Sequence, residues 1–348
     1  MVQRRLGVLA EAPLRWESRL PFGGRAVYAR RHIRVMWPYL TPRKLANIAL
    51  NELEMRAARP RPRSVPPYIK IEATPLCHMK CPGCWHHSKA YKKTLDNNMH
   101  LTVARVARIV EPVSRDLVGV SLSFGGEPLL NRELPGIVAY LHGLDIGTSF
   151  PTNLSVPLST EQAESFVRSG LDLMNVSLDG ASEETYRQYR IGGRYPLVLE
   201  NVRQLADAKR RLGASRPLLI WKMVVFPHNA HEVQLVRDTH GSLGFDGYEL
   251  VPDKDSRDHV DVEKAQRKMI AQRKPCFHPW NTTVIGWDGS VEPCCKQLNS
   301  IKLGDAADAG LLSVWRSDRY AALRAGFDRK GYGDKMHPVC RRCIGLDR

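Results

Sequence analysis

The chain has 348 residues, 43% of them hydrophobic, and a formal net charge of +16. Such a length and composition suit one large α/β domain with a smaller companion. No run approaches the roughly 20 apolar residues of a membrane-crossing helix, and the charged start Met1-Val-Gln-Arg-Arg5 is followed by no apolar stretch that would make a secretory signal.

Residues 1–66 read as a basic N-terminal extension. Up to residue 70 the chain carries fifteen Lys or Arg against four Asp or Glu. That imbalance suits an acidic partner: an anionic membrane surface, nucleic acid, or an anionic substrate or carrier. A solvated arginine-rich face is the alternative. Thr41 and Pro42 are placed as N-cap and first residue of a helix running to Met55. Leu45, Ile48, Ala49 and Leu53 share one face of it, with Leu50 and Met55 on the flanks. This stripe is expected to pack on the main domain, with insertion into a membrane interface as the sharper alternative. Arg59-Pro-Arg-Pro-Arg-Ser-Val-Pro-Pro67 is a stiff, extended linker.

Residues 67–260 alternate strands and helices. Six strands are predicted: 68–74, 120–126, 147–153, 174–180, 219–226 and 247–252. Helical pattern fills 101–113, 132–143, 160–169, 182–211 and 230–243. This order argues for parallel strands with right-handed crossovers. Six units cannot close an eight-stranded barrel, so a partial, open (β/α)6 TIM-like barrel follows, with its reactive groups at the C-terminal strand ends. Residues 261–348 form a small C-terminal domain. It holds a hairpin turning at Asp288-Gly289 and a helix over 311–327.

All eight cysteines fall in two odd-numbered groups, three at 77–84 and five at 276–343. Odd groups fit poorly with self-contained disulfides, and reduced thiols point to a cytoplasmic protein. Cys77, Cys81 and Cys84 sit on one loop straight after the first strand. Three thiolates there can hold three corners of a cubane iron–sulfur cluster and leave one iron open. A zinc knuckle completed by His78 or His86, or a disulfide with a spare thiol, is the alternative.

The Cys-x3-Cys-x2-Cys spacing resembles the radical S-adenosylmethionine (SAM) superfamily, in which the open iron binds SAM. Further motifs carry the resemblance. Gly125-Gly126-Glu127-Pro128 ends the second strand and resembles the motif that contacts the SAM amino group. Thr152 and Asn153 end the third strand near the methionine portion, though Asn153 also suits a helix cap. Ser177-Leu-Asp179-Gly ends the fourth and is similar to a ribose-contacting edge. Arg190 is a candidate partner for the SAM carboxylate, or a surface arginine. One departure is Gly83, where the family often has an aromatic residue before the third cysteine; Trp85 is next door.

Cys276, Cys294, Cys340 and Cys343 make a complete four-thiolate set. It resembles the twitch module, a trimmed form of the SPASM extension, and implies one auxiliary 4Fe-4S cluster, with zinc as the competing occupant. Cys295 is then spare: an alternative ligand, a buried thiol, or a hydrogen-atom donor. The resemblance implies an oxidoreductase. It would cleave SAM to a 5′-deoxyadenosyl radical, abstract a substrate hydrogen and oxidise a small molecule such as a sugar or aminocyclitol alcohol, or a lipid-like substrate. Peptide maturation and redox-neutral epimerisation are the alternatives, and an iron–sulfur carrier or zinc scaffold the non-enzymatic ones. SAM cleavage needs a reductant such as flavodoxin or ferredoxin, and the oxidation needs a base, for which Glu249, Asp253, Asp255, His228 and Lys222 are candidates.

Overall fold

The computed structural model describes residues 35–84, 86, 89–253, 275–294, 301–328, 332 and 334–347. Trp85, Asp255 and Cys295 lie outside the described residues, as do residues 1–34 of the basic extension.

Nine strands form one sheet in the order β6-β5-β4-β3-β2-β1-β7-β8-β9. The first six are β1 (Tyr68–Ile71), β2 (Gly119–Ser121), β3 (Gly147–Thr152), β4 (Leu173–Ser177), β5 (Leu218–Val225) and β6 (Gly247–Pro252). All are parallel to their neighbours. Helices Val103–Val110, Leu134–Gly143, Thr160–Arg168, Tyr195–Arg211 and Val233–Thr239 make the crossovers. Each presents an apolar face to the sheet. Ile69, Ile71, Val106, Ile109, Val120, Phe150, Val176 and Trp221 all reach zero exposure in this layer. The expected open (β/α)6 barrel is therefore present, with β6 and β9 at its unclosed edges.

The structure departs from the sequence pattern in four places. The expected hairpin, β7 (Val284–Ile285) and β8 (Ser290–Glu292), does not stand apart. β7 pairs parallel to β1, and β9 (Gly304–Asp305) completes the extension. The helix expected over 311–327 is two, Leu311–Trp315 and Asp318–Ala325, because the Ser317 hydroxyl caps the second. The helical stretch 182–211 likewise divides into Glu183–Tyr189 and Tyr195–Arg211, with Gly192 and Gly193 between.

Helix α1 (Pro42–Arg56) begins at its predicted cap but docks with the opposite face. Lys44, Asn47, Asn51 and Glu54 are buried, while Leu45, Leu50 and Leu53 are exposed, Leu53 to 64%. The reason is the linker that follows. It runs back along α1 with unpaired backbone groups that only polar side chains can satisfy. Asn47 bonds both the N–H and the carbonyl of Val65. Glu54 accepts from the N–H of Arg63 and Ser64 and from the Ser64 hydroxyl. Burial alone would raise the Glu54 carboxyl, but these donors and Arg59 hold it below its ordinary range. The strap is clamped from its other side by the C-terminal region. Trp280 and Trp315 donate their indole N–H to Arg59 and Ser64 carbonyls. Arg324, fully buried between the Trp315 and Tyr320 rings, bonds the Pro279 and Trp315 carbonyls at 2.8 Å.

Val35, Met36, Val118, Leu173 and Ile220 pack together at the N-terminal ends of the strands. They plug that end of the barrel and leave the C-terminal end as its mouth.

Candidate functional site

The loop after β1 carries the first thiol group to the mouth. Cys81 is buried, and Cys77 and Cys84 are half-buried free thiols. Backbone bonds shape the loop. Cys84 N–H donates to Cys81 O at 3.2 Å, Lys80 N–H to Ile191 O at 2.8 Å, and Glu127 N–H to Leu76 O at 2.7 Å. Gly83 takes φ +69°, a left-handed conformation that favours glycine.

Burial pushes the Cys77 thiol up to about 11, and Glu127, Cys81 and Cys84 push further against one opposing N–H from Met79. Burial also raises Cys81, against the Arg190 guanidinium, with Cys84 adding to the rise. Cys77 and Cys81, whose ionisation burial and neighbouring groups oppose, ask for a cationic group to replace their protons. Among the described residues no three His, Cys, Asp or Glu close around the position of a single metal ion. His86 lies against Tyr91, with ring centroids 4.9 Å apart, and against Gly125. The donor set, thiolate only and clustered on one loop, fits a polynuclear iron–sulfur group held by Cys77, Cys81 and Cys84.

Two polar side chains approach these sulfurs. Asn153 Nδ2 lies 4.0 Å from Cys77 Sγ, and Arg190 Nη1 lies 4.0 Å from Cys81 Sγ. Each is held from behind. Asn153 donates its N–H to Glu127 at 2.7 Å and accepts from Ser155 N–H through its side chain. Arg190 donates to Asp179 at 2.6 Å. Asp179 is fully buried, and its other oxygen accepts Val224 N–H from β5. Both Asp179 oxygens are thus engaged, and in this structure the carboxylate orients Arg190 rather than standing open beside Ser177 for a sugar. Ser177 is half-buried at the end of β4.

Glu127 is also an internal brace. Its carboxylate is 2% exposed and accepts from Thr152 Oγ1 at 2.5 Å, Asn153 N–H and Leu129 N–H. Burial raises its pKa and these donors oppose the rise. Pro128 follows, buried at the start of a short helical turn. The two glycines before it differ. A Cβ on Gly126 would meet the carbonyl oxygens of Thr74 and Leu76 at 2.2 and 2.4 Å, whereas one on Gly125 would meet the His86 ring and the Glu72 carboxylate.

Glu72 is the residue the sequence reading passed over. It is 6% exposed and lines a cleft of about 510 Å³ together with Tyr91, Phe124, Trp287, Asp288 and Glu292. Burial pushes its carboxyl up to about 7, against the Trp287 backbone N–H and with help from Asp288 and Glu292. A signal was present: alternation through Tyr68-Ile-Lys-Ile-Glu72 places it on the Tyr68 and Lys70 face, at a strand end. Of the expected bases, Lys222 and Glu249 are register partners on β5 and β6, with Ser177 beside Lys222. Asp253 follows β6, half-buried. His228 follows β5, its ring stacked 5.3 Å from that of Phe226.

The second thiol group lies in the C-terminal region. Cys276 precedes the helix His278–Asn281, and Cys294 follows β8. Cys340 and Cys343, three residues apart on the helix Pro338–Ile344, share a face. Burial pushes Cys340 up to about 12, and Cys294, Cys276 and Cys343 all add to the rise. Cys340 thus lies within electrostatic reach of three other half-buried thiols.

An open α/β barrel with a three-thiol loop at its mouth and a four-thiol set beside it defines an iron–sulfur enzyme of the SAM-cleaving class. Comparison with known proteins agrees. Residues 71–234 match the Radical SAM superfamily, and residues 276–344 match the SPASM iron–sulfur cluster-binding domain. The chain carries a radical SAM domain and a C-terminal SPASM iron–sulfur domain. These domains imply a SAM-binding 4Fe-4S cluster and an auxiliary iron–sulfur cluster. Among curated proteins the chain is similar to a GTP 3′,8-cyclase of Alkaliphilus metalliredigens, 25% identical over 48% of this chain and 50% of the cyclase. The chain thus spans about half the length of that relative. It is also similar to the tungsten-containing aldehyde ferredoxin oxidoreductase cofactor-modifying protein of Pyrococcus furiosus, 20% identical over 79% of this chain and 86% of that protein. Among solved structures, Streptococcus suis SuiB bound to its precursor peptide SuiA aligns at TM-score 0.60 and 17% identity, covering 81% of this chain and 71% of SuiB. At that identity the likeness is one of fold.

Among the described residues no helix is long and apolar enough to cross a membrane.

Proposed function

We propose that this radical SAM enzyme oxidises a small molecule by two electrons, with Cys77, Cys81 and Cys84 holding the SAM-binding cluster and Cys276, Cys294, Cys340 and Cys343 holding the auxiliary one. When bound, the first cluster supplies the electron that opens SAM to a 5′-deoxyadenosyl radical able to take hydrogen from an unactivated C–H bond. The protein's part is placement. Glu127 fixes Asn153 toward Cys77, and Asp179 fixes Arg190 toward Cys81. Gly125, Thr152, Asn153 and Ser177 at or after the strand ends, and Arg190 at the end of the helix Glu183–Tyr189, are the groups proposed to receive SAM.

The observation that carries this reading is the docking of β7 on β1. It puts the hairpin that leads to Cys294 on the same sheet as the strand that leads to Cys77. Both thiol groups proposed as iron ligands thus lead from one sheet, which supports an oxidation that uses a second electron carrier. The relatives differ in what their names say they act on or bind: GTP, a tungsten enzyme's cofactor, a precursor peptide. Peptide modification is therefore the competing reading for the substrate.

The test is anaerobic reconstitution followed by iron and sulfide analysis and reduction with dithionite in the presence of SAM. Wild type is expected to hold about two four-iron clusters and to release 5′-deoxyadenosine. Cys77→Ala should lose the 5′-deoxyadenosine and keep the auxiliary iron. Zinc in place of iron, or no SAM cleavage by iron-replete protein, would reject the reading.

A further inference from the structure

Glu72 stands where the SAM-side loop and the SPASM hairpin meet. Its N–H donates to Ile285 O of β7 at 2.9 Å, and its carboxylate accepts the Trp287 N–H. On its other side, its Oε1 would lie 3.0 Å from a Cβ on Gly125. No other carboxylate among the described residues is shown touching both the Gly-Gly-Glu-Pro turn and the hairpin. It sits just past the C-terminal end of a barrel strand, where this architecture places its chemistry. Although 94% of it is screened from solvent, it borders the cleft of about 510 Å³.

We propose that this cleft receives the substrate and that Glu72 is the catalytic proton acceptor, acting on a compound whose reactive carbon bears a hydroxyl or amino group. The inference rests on the oxidation proposed above. The balance is as follows. The substrate C–H bond breaks, and its hydrogen atom passes to the 5′ carbon of the deoxyadenosyl group. The adjacent O–H or N–H then breaks, its proton going to the Glu72 carboxylate and the remaining electron to an iron–sulfur oxidant of the kind the SPASM domain implies. A C=O or C=N bond forms, and the substrate has lost two electrons and two protons.

The surroundings suit this work. Asp288 and Glu292 on the hairpin face Glu72, as do Tyr91 from the short helix Lys89–Lys92 and the His86 ring, while Lys302 lines the cleft. A carboxyl near neutral is a stronger base than an ordinary one and is still substantially ionised at pH 7. Trp287, Phe124 and Tyr91 supply flat apolar walls.

The experiment uses reconstituted holoenzyme, SAM and dithionite, with carbon-deuterated cyclitols and amino sugars as probes. Deuterium reaching 5′-deoxyadenosine reports hydrogen abstraction; the carbonyl or imine product reports loss of the proton and electron. Glu72→Gln is expected to keep deuterium transfer within about threefold while carbonyl formation falls about 100-fold. Wild-type carbonyl formation should decline as pH falls below 7, and the variant's residual rate should not. A second readout needs no substrate. A carboxyl raised above its unfolded value stabilises the fold at low pH, and that contribution disappears as pH rises through 7. Thermal unfolding of holoenzyme should show this loss in wild type and not in Glu72→Gln. Equal carbonyl formation in both proteins, or parallel stability profiles, would overturn the role of Glu72. 5′-Deoxyadenosine without deuterium from any probe would overturn the substrate class. Absence of 5′-deoxyadenosine altogether would fail the proposed function instead.

Discussion

Replacing Gly126 by alanine separates two meanings of the Gly-Gly pair. A Cβ at Gly126 would stand 2.2 Å from Thr74 O and 2.4 Å from Leu76 O. Ordinary contact begins near 3.4 Å, so the segment must retreat by about 1.2 Å. It is not free to do so. Leu76 O accepts Glu127 N–H at 2.7 Å, and Thr74 Oγ1 donates to Met99 O at 2.7 Å. Overpacking against a fixed backbone costs ~1–3 kcal/mol, and the displaced segment leads directly into Cys77. Gly126→Ala should therefore lower the unfolding midpoint and lose iron from the first cluster while the auxiliary cluster remains. At Gly125 the added methyl meets side chains, the His86 ring at 2.0 Å and Glu72 beyond it. Rings and carboxylates can turn, so Gly125→Ala should retain both clusters. Urea unfolding and iron content per chain read both variants. A Gly126→Ala protein with full iron and wild-type stability would refute the packing argument and leave the glycine free for ligand approach.

Two further outcomes follow from side-chain placement. Leu53→Gln on the exposed face of α1 should change stability by less than about 0.5 kcal/mol. Asn51→Ala strips the partners Trp280 O and Ser64 Oγ and should cost about 1–3 kcal/mol; chemical denaturation of both variants measures the contrast. Arg190→Gln removes a guanidinium aimed at Cys81 and should lower the midpoint potential of the first cluster, without SAM, while the second is unchanged. Redox titration followed by electron paramagnetic resonance checks this. An unchanged potential with weakened SAM binding would assign Arg190 to the SAM carboxylate.

The sequence by itself determined the chemistry. Thiolate spacing is a local property, and Cys77, Cys81 and Cys84 on one loop resemble the radical SAM signature before any fold is known. Alternating strands and helices likewise announce the parallel sheet, because each element's period is written within its own ten or so residues. Tertiary structure decided what each polar group faces. Helix α1 has an apolar stripe that reads as its buried side. The Pro-rich strap behind it needed hydrogen-bond partners, and the helix turned its Asn and Glu side inward. Asp179 read as an open ribose edge until Arg190, eleven residues on, took up one of its oxygens. Glu72 read as one polar residue in a strand. Only the docking of β7 beside β1 buried it between Trp287 and Gly125, and a carboxyl's basicity depends on neighbours that lie more than fifty and two hundred residues away in the chain.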